Sequence, residues 1–260
     1  MNYKKISIVF LLLVTTIGIY AFLIQPVLSR SDNEFIVGTA AGYAPFVSIN
    51  EKGEYEGFDV DVANALVKIM GKKLVLKDLG SMSSLFVALD QGAVDCIIWG
   101  LSITQDRLKK VAMVHYQGET TVAEPLIFWQ QVPQGVNSLS DMNGMTVCVE
   151  PGSAQEAVVS KYEQIVTVPI DKVDDALLNI QYGKVDAAFV EPAIAKKFKN
   201  KYPQIQLLNI PLAVEDQVQG VGIVIKKDNA ERISSVQQAV KKLKEEGVIA
   251  QLEQKWGIVQ

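Results

Sequence analysis

The chain has 260 residues, of which 49% are hydrophobic and 21% are charged, and its formal net charge at pH 7 is −4. This length is enough for one large domain or for two of ordinary size. No basic stripe with interleaved aromatic residues is present, so nucleic-acid binding has no support. Two cysteines and one histidine make a metal site unexpected, and no cofactor is predicted.

The N-terminal segment has the organisation of a secretory signal. A short basic start precedes an uncharged, almost wholly apolar stretch at residues 6–24. The small residues Val27 and Ser29 would allow cleavage before Arg30. The apolar stretch is also long enough to span a bilayer, so residues 1–29 are predicted to be either a signal peptide or an uncleaved N-terminal membrane anchor. Both interpretations place the rest of the chain outside the cytoplasm.

A predicted strand at residues 35–39 precedes the most informative stretch of the chain, residues 57–70. A glycine starts a short alternation of apolar and acidic residues, which then continues at helical spacing. The pattern predicts a turn at this glycine and a helix over residues 60–70. Asp59 and Asp61 would lie in the first turn, where the helix dipole favours carboxylates. Taken alone, the stretch is an ordinary acid-capped helix.

Short β-like runs and helical patterns alternate along the rest of the chain. Strands are predicted at residues 73–77, 94–99, 125–130, 146–150 and 185–190. Helices are predicted at residues 83–90, 104–110, 154–161, 174–182 and 193–199, and residues 230–256 are amphipathic with a break at Gly247. The order of elements recurs after residue 120. This alternation predicts α/β units around largely parallel sheets, in two analogous domains.

The stretch at residues 57–70, together with residues 35–39 and the Tyr-Ala-Pro-Phe sequence at residues 43–46, resembles the signature of the bacterial extracellular solute-binding proteins, family 3. These are the polar amino-acid-binding components of ABC transporters, and the resemblance continues to Trp256. It implies a two-lobed periplasmic binding protein fold of type II, with two α/β domains joined by a two-strand hinge that permits closure around a ligand.

In that family the C-terminal segment returns to the first domain. The resemblance therefore implies that lobe 1 comprises residues 30–120 and 220–260 and that lobe 2 comprises residues 121–219. Cys96 and Cys148 would then lie in different domains, and no disulfide is expected between them.

A site that buries a free amino acid must pair both its carboxylate and its ammonium group. The planar fork of an arginine matches a carboxylate. By the resemblance, Arg107 clamps the ligand carboxylate, Gly100 offers its carbonyl to the ammonium, and Ser102 contacts both groups. Glu191 aligns with the acid that binds the ammonium. Taken alone, Arg107 would be the exposed start of a helix and Glu191 an acid in a helix cap.

The resemblance also implies a ligand-binding loop in lobe 2, formed by Ser153, Ala154 and Gln155, where a helix N-terminus presents backbone N–H groups to the carboxylate. Ala154 stands where a hydroxyl residue is common, so one side-chain contact would be lost. Glu150 lies just before this loop. It is expected either to reach toward a cationic ligand tail or to lie in solvent.

Three residues are expected to surround the ligand side chain. Tyr43 aligns with an aromatic residue that stacks on it in the family. Trp99 replaces a small residue of the pocket wall, and Met82 stands where an aromatic lid is usual. Two interpretations of Trp99 remain open: it has taken over the lid role, or it belongs to the core of a strand. Ala40 occupies a position that is often acidic or polar in the family.

The sequence therefore predicts a monomeric periplasmic protein, not an enzyme, that binds one free polar amino acid and delivers it to the permease of an ABC importer in the inner membrane. The likeness to arginine-binding members favours a basic ligand. The alternatives are a dehydratase-like enzyme on the same fold, with Glu191 as general acid, and the input domain of a sensor.

Overall fold

The computed structural model describes residues 31–258, and the predicted leader at residues 1–29 lies outside this part. The strands of the described part are β1 (Glu34–Thr39), β2 (Ser48–Ile49), β3 (Tyr55–Glu56), β4 (Lys73–Asp78), β5 (Cys96–Ile97), β6 (Ala112–Thr121), β7 (Ala123–Phe128), β8 (Thr146–Val149), β9 (Val166–Pro169), β10 (Ala187–Phe189), β11 (Gln206–Pro211) and β12 (Val218–Ile225). The helices of the same part are α1 (Phe58–Met70), α2 (Met82–Asp90), α3 (Gln105–Lys110), α4 (Ala154–Val159), α5 (Val173–Gln181), α6 (Pro192–Lys201), α7 (Ala230–Glu245) and α8 (Val248–Trp256). None of these helices is both long and apolar enough to cross a membrane.

Two five-stranded sheets organise the chain, and we call the parts built on them lobe 1 and lobe 2. The sheet of lobe 1 has the strand order β4-β1-β5-β12-β6, and that of lobe 2 has the order β11-β7-β10-β8-β9. Lobe 1 therefore takes its strands from both ends of the described chain, whereas lobe 2 takes them from the middle. This is the two-domain α/β architecture that the sequence predicts.

The prediction of largely parallel sheets is wrong, because both sheets are mixed. In lobe 1, β1 and β5 are parallel, but β12 is antiparallel to both β5 and β6. In lobe 2, β8 is parallel to β9 and β10, but β7 is antiparallel to β10 and β11. The chain leaves lobe 1 through β6 and β7 and returns through β11 and β12. Because these two crossings run in opposite directions, the strands on either side of them are antiparallel.

The hinge consists of the two segments that join the lobes. Thr121 at the end of β6 pairs with Val218 at the start of β12. On the lobe 2 side, the N–H of Leu212 donates to the carbonyl of Val122 at 2.8 Å. The segments also touch at Gly220, where a Cβ atom would lie 2.5 Å from the carbonyl oxygen of Gln117. A side chain at this position would push the two hinge strands apart.

Helix α1 begins at Phe58, two residues before the predicted start, and Gly57 is its N-terminal cap. The alternating acids are therefore helical. Asp61 accepts hydrogen bonds from Nε1 of Trp256 and Nζ of Lys255, both at 2.7 Å. These bonds tie α1 to the end of α8, and they explain how the C-terminal helices are held in lobe 1.

Buried hydrophobic residues of both lobes belong to one packed cluster, which includes both cysteines. Cys96 of β5 and Cys148 of β8 are both free and fully buried, one in each sheet. A free buried cysteine packs as a small hydrophobic residue.

Candidate functional site

The loop that follows β5 is held against the hinge strand β12. The N–H of Ile103 donates to the carbonyl of Gly220, and the N–H of Gly222 donates to the carbonyl of Leu101, both at 2.9 Å. Ser102, which lies between Leu101 and Ile103, is 4% exposed. The loop that carries the predicted carboxylate clamp is therefore positioned by main-chain hydrogen bonds to the hinge.

Asp59, from the signature stretch, holds the start of this loop. Its carboxylate accepts hydrogen bonds from the N–H of Gly100 and, at 2.6 Å, from the hydroxyl of Tyr116. Burial raises the pKa of Asp59 to about 7, although both hydrogen bonds act in the opposite direction. The signature acid thus orients Gly100, whose carbonyl is one of the predicted ligand contacts, without being a predicted contact itself.

Arg107 lies in the first turn of α3, which Thr104 caps with its hydroxyl. Its Nη1 donates to the carbonyl of Ser102 at 2.7 Å, and its Nη2 donates to the carbonyl of Gly152 at 2.9 Å. The guanidinium group therefore bridges the lobes across the space between them, which we call the cleft. Burial lowers the pKa of Arg107, and the nearby carboxylate of Glu191 acts in the opposite direction.

Met82 and Gly152 bring the lobes into contact beside Arg107. Nη2 of Arg107 lies 3.3 Å from Sδ of Met82. A Cβ atom on Gly152 would lie 3.1 Å from the same sulfur, and the φ of Gly152 is +79°. Met82 thus contacts both Arg107 and the lobe 2 loop, at the position where an aromatic lid is usual in the family that the sequence resembles.

The lobe 2 loop that contains Ser153, Ala154 and Gln155 is partly satisfied by its own hydrogen bonds. The hydroxyl of Ser153 accepts from the N–H of Glu156 at 3.0 Å. The carboxylate of Glu156 accepts from the N–H of Gly152 at 2.7 Å. These bonds shape the start of α4 without using the N–H groups of Ala154 and Gln155.

Glu191 is the N-terminal cap residue of α6, with Pro192 at the first helical position, but its side chain makes no capping hydrogen bond. The carboxyl group instead interacts with the hydroxyl of Tyr43, and this interaction lowers its pKa while burial, the larger effect, raises it. Glu191 therefore occupies the cap position without the side-chain hydrogen bond of a capping acid. Glu191 faces a predicted ligand residue of lobe 1.

Aromatic rings line the lobe 1 side of this region. The ring of Tyr43 lies 5.5 Å from that of Phe46 and 5.2 Å from that of Trp99, between centroids. Trp99 is 4% exposed, and its Nε1 has no hydrogen-bond partner among the described residues. Strand β5 ends at Ile97, so Trp99 follows the strand and packs on Tyr43.

Two further acids of lobe 2 face the cleft. Burial, followed by the charge of Glu191, raises the pKa of Glu150 to about 8, and Arg107 lowers it. Glu150 therefore belongs to the same electrostatic cluster and does not simply lie in solvent. Glu124 was not among the predicted site residues, yet it is 1% exposed and its Oε2 accepts from Nε2 of Gln155 at 2.7 Å. In the sequence, Glu124 could have been recognised as an isolated acid directly before the apolar β-like run at residues 125–130.

Two cavities open beside the bridge made by Arg107. One, of about 760 Å³, is lined among others by Gly100, Ser102, Glu124 and Glu191. The other, of about 590 Å³, is lined among others by Met82, Arg107, Ser153 and Ala154. The predicted residues Tyr43, Trp99, Glu150 and Gln155 line neither of them. The other seven predicted residues, among them Arg107 and Met82, line one or the other of these two cavities.

Comparisons with known proteins cover almost all of the described chain. The family model for bacterial extracellular solute-binding proteins, family 3, matches residues 35–259. The chain is 33% identical over 257 residues to a probable ABC transporter arginine-binding protein, ArtJ, of Chlamydia trachomatis serovar D, covering 98% of this chain and 97% of the relative. A mutant of ArgBP from T. maritima has a TM-score of 0.78 at 29% identity, covering 88% of this chain and 97% of that chain. An ancestral arginine-binding protein bound to arginine has a TM-score of 0.77 at 26% identity, covering 86% and 98%.

Proposed function

The chain belongs to the bacterial extracellular solute-binding proteins, family 3, and on that premise we propose that it binds one basic amino acid between its lobes and delivers it to an ABC importer. The observation that carries this proposal is the arrangement of charge in the cleft. Lobe 1 contributes the guanidinium of Arg107, and lobe 2 contributes three carboxyl groups, those of Glu124, Glu150 and Glu191.

The head group of the ligand pairs with two of these charged groups, Arg107 and Glu191. Its carboxylate pairs with Arg107, in place of the contact that Nη2 makes with the carbonyl of Gly152. Its ammonium lies near Glu191, the carbonyl of Gly100 and the hydroxyl of Ser102. Each buried charge then has a partner, which is the condition for burying a zwitterion.

The side chain of the ligand pairs with one further carboxyl group of the cleft. None of the ion pairs formed by residues 31–258 involves Glu124, Glu150 or Glu191. A neutral amino acid brings only one positive charge, whereas arginine, lysine or ornithine brings two. We assign the second to Glu150, with the aliphatic part of the side chain against Tyr43, Trp99 and Met82. The names of the relatives point to arginine.

Closure of the hinge completes the site, because Arg107 lies in lobe 1 whereas the acids lie in lobe 2. We assign lobe 1 to residues 30–120 and 220–260 and lobe 2 to residues 121–219. With residues 1–29 as an export signal or an anchor, the protein would act as a monomer in the periplasm and present its ligand to a permease in the inner membrane. No observation favours a dehydratase or a sensor input domain.

Isothermal titration calorimetry with L-arginine, L-lysine, L-ornithine and L-glutamine tests the proposal. We expect the basic amino acids to bind with dissociation constants at least tenfold lower than that of L-glutamine. A matched control is Lys109→Ala, since Lys109 lies on the same helix as Arg107 but is exposed and pairs with Asp106. A preference for a neutral amino acid would refute the basic-ligand assignment, and the absence of binding by all twenty amino acids would refute the proposed function.

A further inference from the structure

Glu124 occupies a position where an ionised carboxylate has little support. It lies next to the start of β7, immediately after the chain has crossed from lobe 1, and it is 1% exposed. Its one hydrogen bond among the described residues comes from the neutral amide of Gln155, at 2.7 Å. A buried carboxyl group whose hydrogen bond comes from a neutral amide is costly to ionise. The carboxyl group of Glu124 therefore needs either a proton or the positive charge of a ligand to be stable in this position.

Glu124 shares a cavity with the groups assigned to the ligand ammonium. Glu124, Glu191, Gly100 and Ser102 all line the cavity of about 760 Å³. We propose that Glu124 and Glu191 together form a two-carboxyl site for the α-ammonium group of the ligand, and that this pair releases one proton to solvent when the ammonium binds. The inference rests on the proposed amino-acid-binding function and adds a ligand residue to it.

The charges around Glu124 support this assignment. Glu191 faces it from the start of α6 and Arg107 from α3, and Tyr43 faces it from the loop after β1. Burial, and then the charge of Glu191, raises the pKa of Glu124 to about 8, whereas Gln155 and Arg107 lower it. At neutral pH these effects favour one proton on the pair formed by Glu124 and Glu191 in the ligand-free site. An ammonium between the two carboxyl groups favours their ionised forms and expels this proton.

The pH dependence of binding follows with a definite sign. Below a pH of about 8 the pair in the ligand-free site holds one proton, so binding must expel a proton. Raising the pH removes this requirement, and the affinity rises. Between pH 6 and pH 8 we expect the association constant of the wild type for L-arginine to increase, by up to about tenfold per pH unit.

Calorimetry at pH 7 with L-arginine, in phosphate and in Tris, measures the released proton directly, because the two buffers differ in their heats of ionisation. The wild type should give different apparent enthalpies, in the direction of proton release. Glu124→Gln should lose at least half of this difference and bind about tenfold more weakly. Glu150→Gln removes the other candidate proton source and should retain at least half of the difference. Glu119→Gln, exposed in the same cavity, should match the wild type.

The outcomes separate this inference from the proposed function. If the wild type binds L-arginine with the same apparent enthalpy in both buffers, the proton-releasing pair is refuted and the binding function stands. An unchanged affinity in Glu124→Gln would likewise remove Glu124 from the site. If Glu124→Gln does not fold, Glu124→Asp replaces it, because aspartate keeps an ionisable carboxyl group. This variant should still show different apparent enthalpies in the two buffers. Equal enthalpies in Glu124→Asp would count against the inference. Absence of binding by all twenty amino acids would overturn both proposals.

Discussion

The two lobes differ in how far their cleft residues are satisfied by the protein itself. In lobe 1, the N–H of Gly100 is bound by Asp59, the loop residues pair with β12, and Arg107 has two carbonyl partners. In lobe 2, the acids that face the cleft have raised pKa values and no ion-pair partner among residues 31–258. The cleft groups of lobe 1 are therefore largely paired within the protein, whereas the cleft acids of lobe 2 are not paired with a cation of their own lobe.

This difference indicates where the specificity of the site resides. Lobe 1 offers one guanidinium, which any amino acid carboxylate can satisfy. Lobe 2 offers several carboxyl groups, and only a ligand with enough positive charge can pair with them. The comparison predicts that a change at Arg107 affects all ligands alike, whereas a change at Glu150 discriminates between basic and neutral ligands.

The largest expected effect is that of Arg107→Ala. The variant removes the partner of a buried carboxylate, which costs about 3–5 kcal/mol and should abolish measurable binding of every amino acid. Calorimetry measures the loss, and a melting curve checks that the protein is folded. Retention of affinity within a few-fold of the wild type would show that another group binds the carboxylate.

The next largest effect is expected for Glu191→Gln in lobe 2. The ligand ammonium would lose a charged partner at a cost of about 2 kcal/mol or more. For the same reason, 5-guanidinopentanoate, which is arginine without its amino group, should bind the wild type poorly. The comparison between lobes would fail here if arginine and its deaminated form bound equally well.

A smaller and more selective effect is expected for Glu150→Gln. The affinity for L-arginine and L-lysine should fall by about tenfold, or about 1.4 kcal/mol, while that for L-glutamine stays nearly unchanged. Competition binding with the three amino acids measures the selectivity. An equal loss for all three would assign Glu150 to the head group instead of the ligand tail.

The smallest effect is expected for Asp59→Asn in lobe 1. Asparagine can still accept one of the two hydrogen bonds that Asp59 receives, so the free energy of unfolding should fall by about 1 kcal/mol. For a chain of this size the melting temperature would then drop by about 2–4 °C. Because Asp59 orients the loop, the loss of affinity should be the same for arginine and glutamine. A change in ligand preference would contradict a scaffold role.

The sequence predicted best what depends on residues close together in the chain. The boundaries of α2 and of β4 agree with the predictions to within one residue, because hydrophobic spacing and caps are local signals. The start of α1 was placed two residues late, because the alternation of acids with apolar residues in its first turn also suits a strand. Strand β5 was predicted as six residues but pairs at only two, Cys96 and Ile97, since the chain leaves the sheet to form the cleft loop.

Residues that act through distant partners were harder to predict. Asp59 was recognised as a helix acid, but its hydrogen bonds to Gly100 and Tyr116 span 41 and 57 residues of sequence. Glu124 was missed because the predicted strand began one residue after it, and only the fold places it beside Gln155 and Glu191. Periodicity carries no information about such pairs.

The sequence by itself determined the alternation of α and β elements and the family resemblance, and it predicted Arg107 and Glu191 as clamp residues. Only the tertiary structure decided that the sheets are mixed, that Arg107 bridges the lobes, and that three acids of lobe 2 face it. The physical reason is that hydrophobic patterning acts over a few residues, whereas charge balance in a cleft depends on groups that meet only when the chain has crossed twice between its lobes.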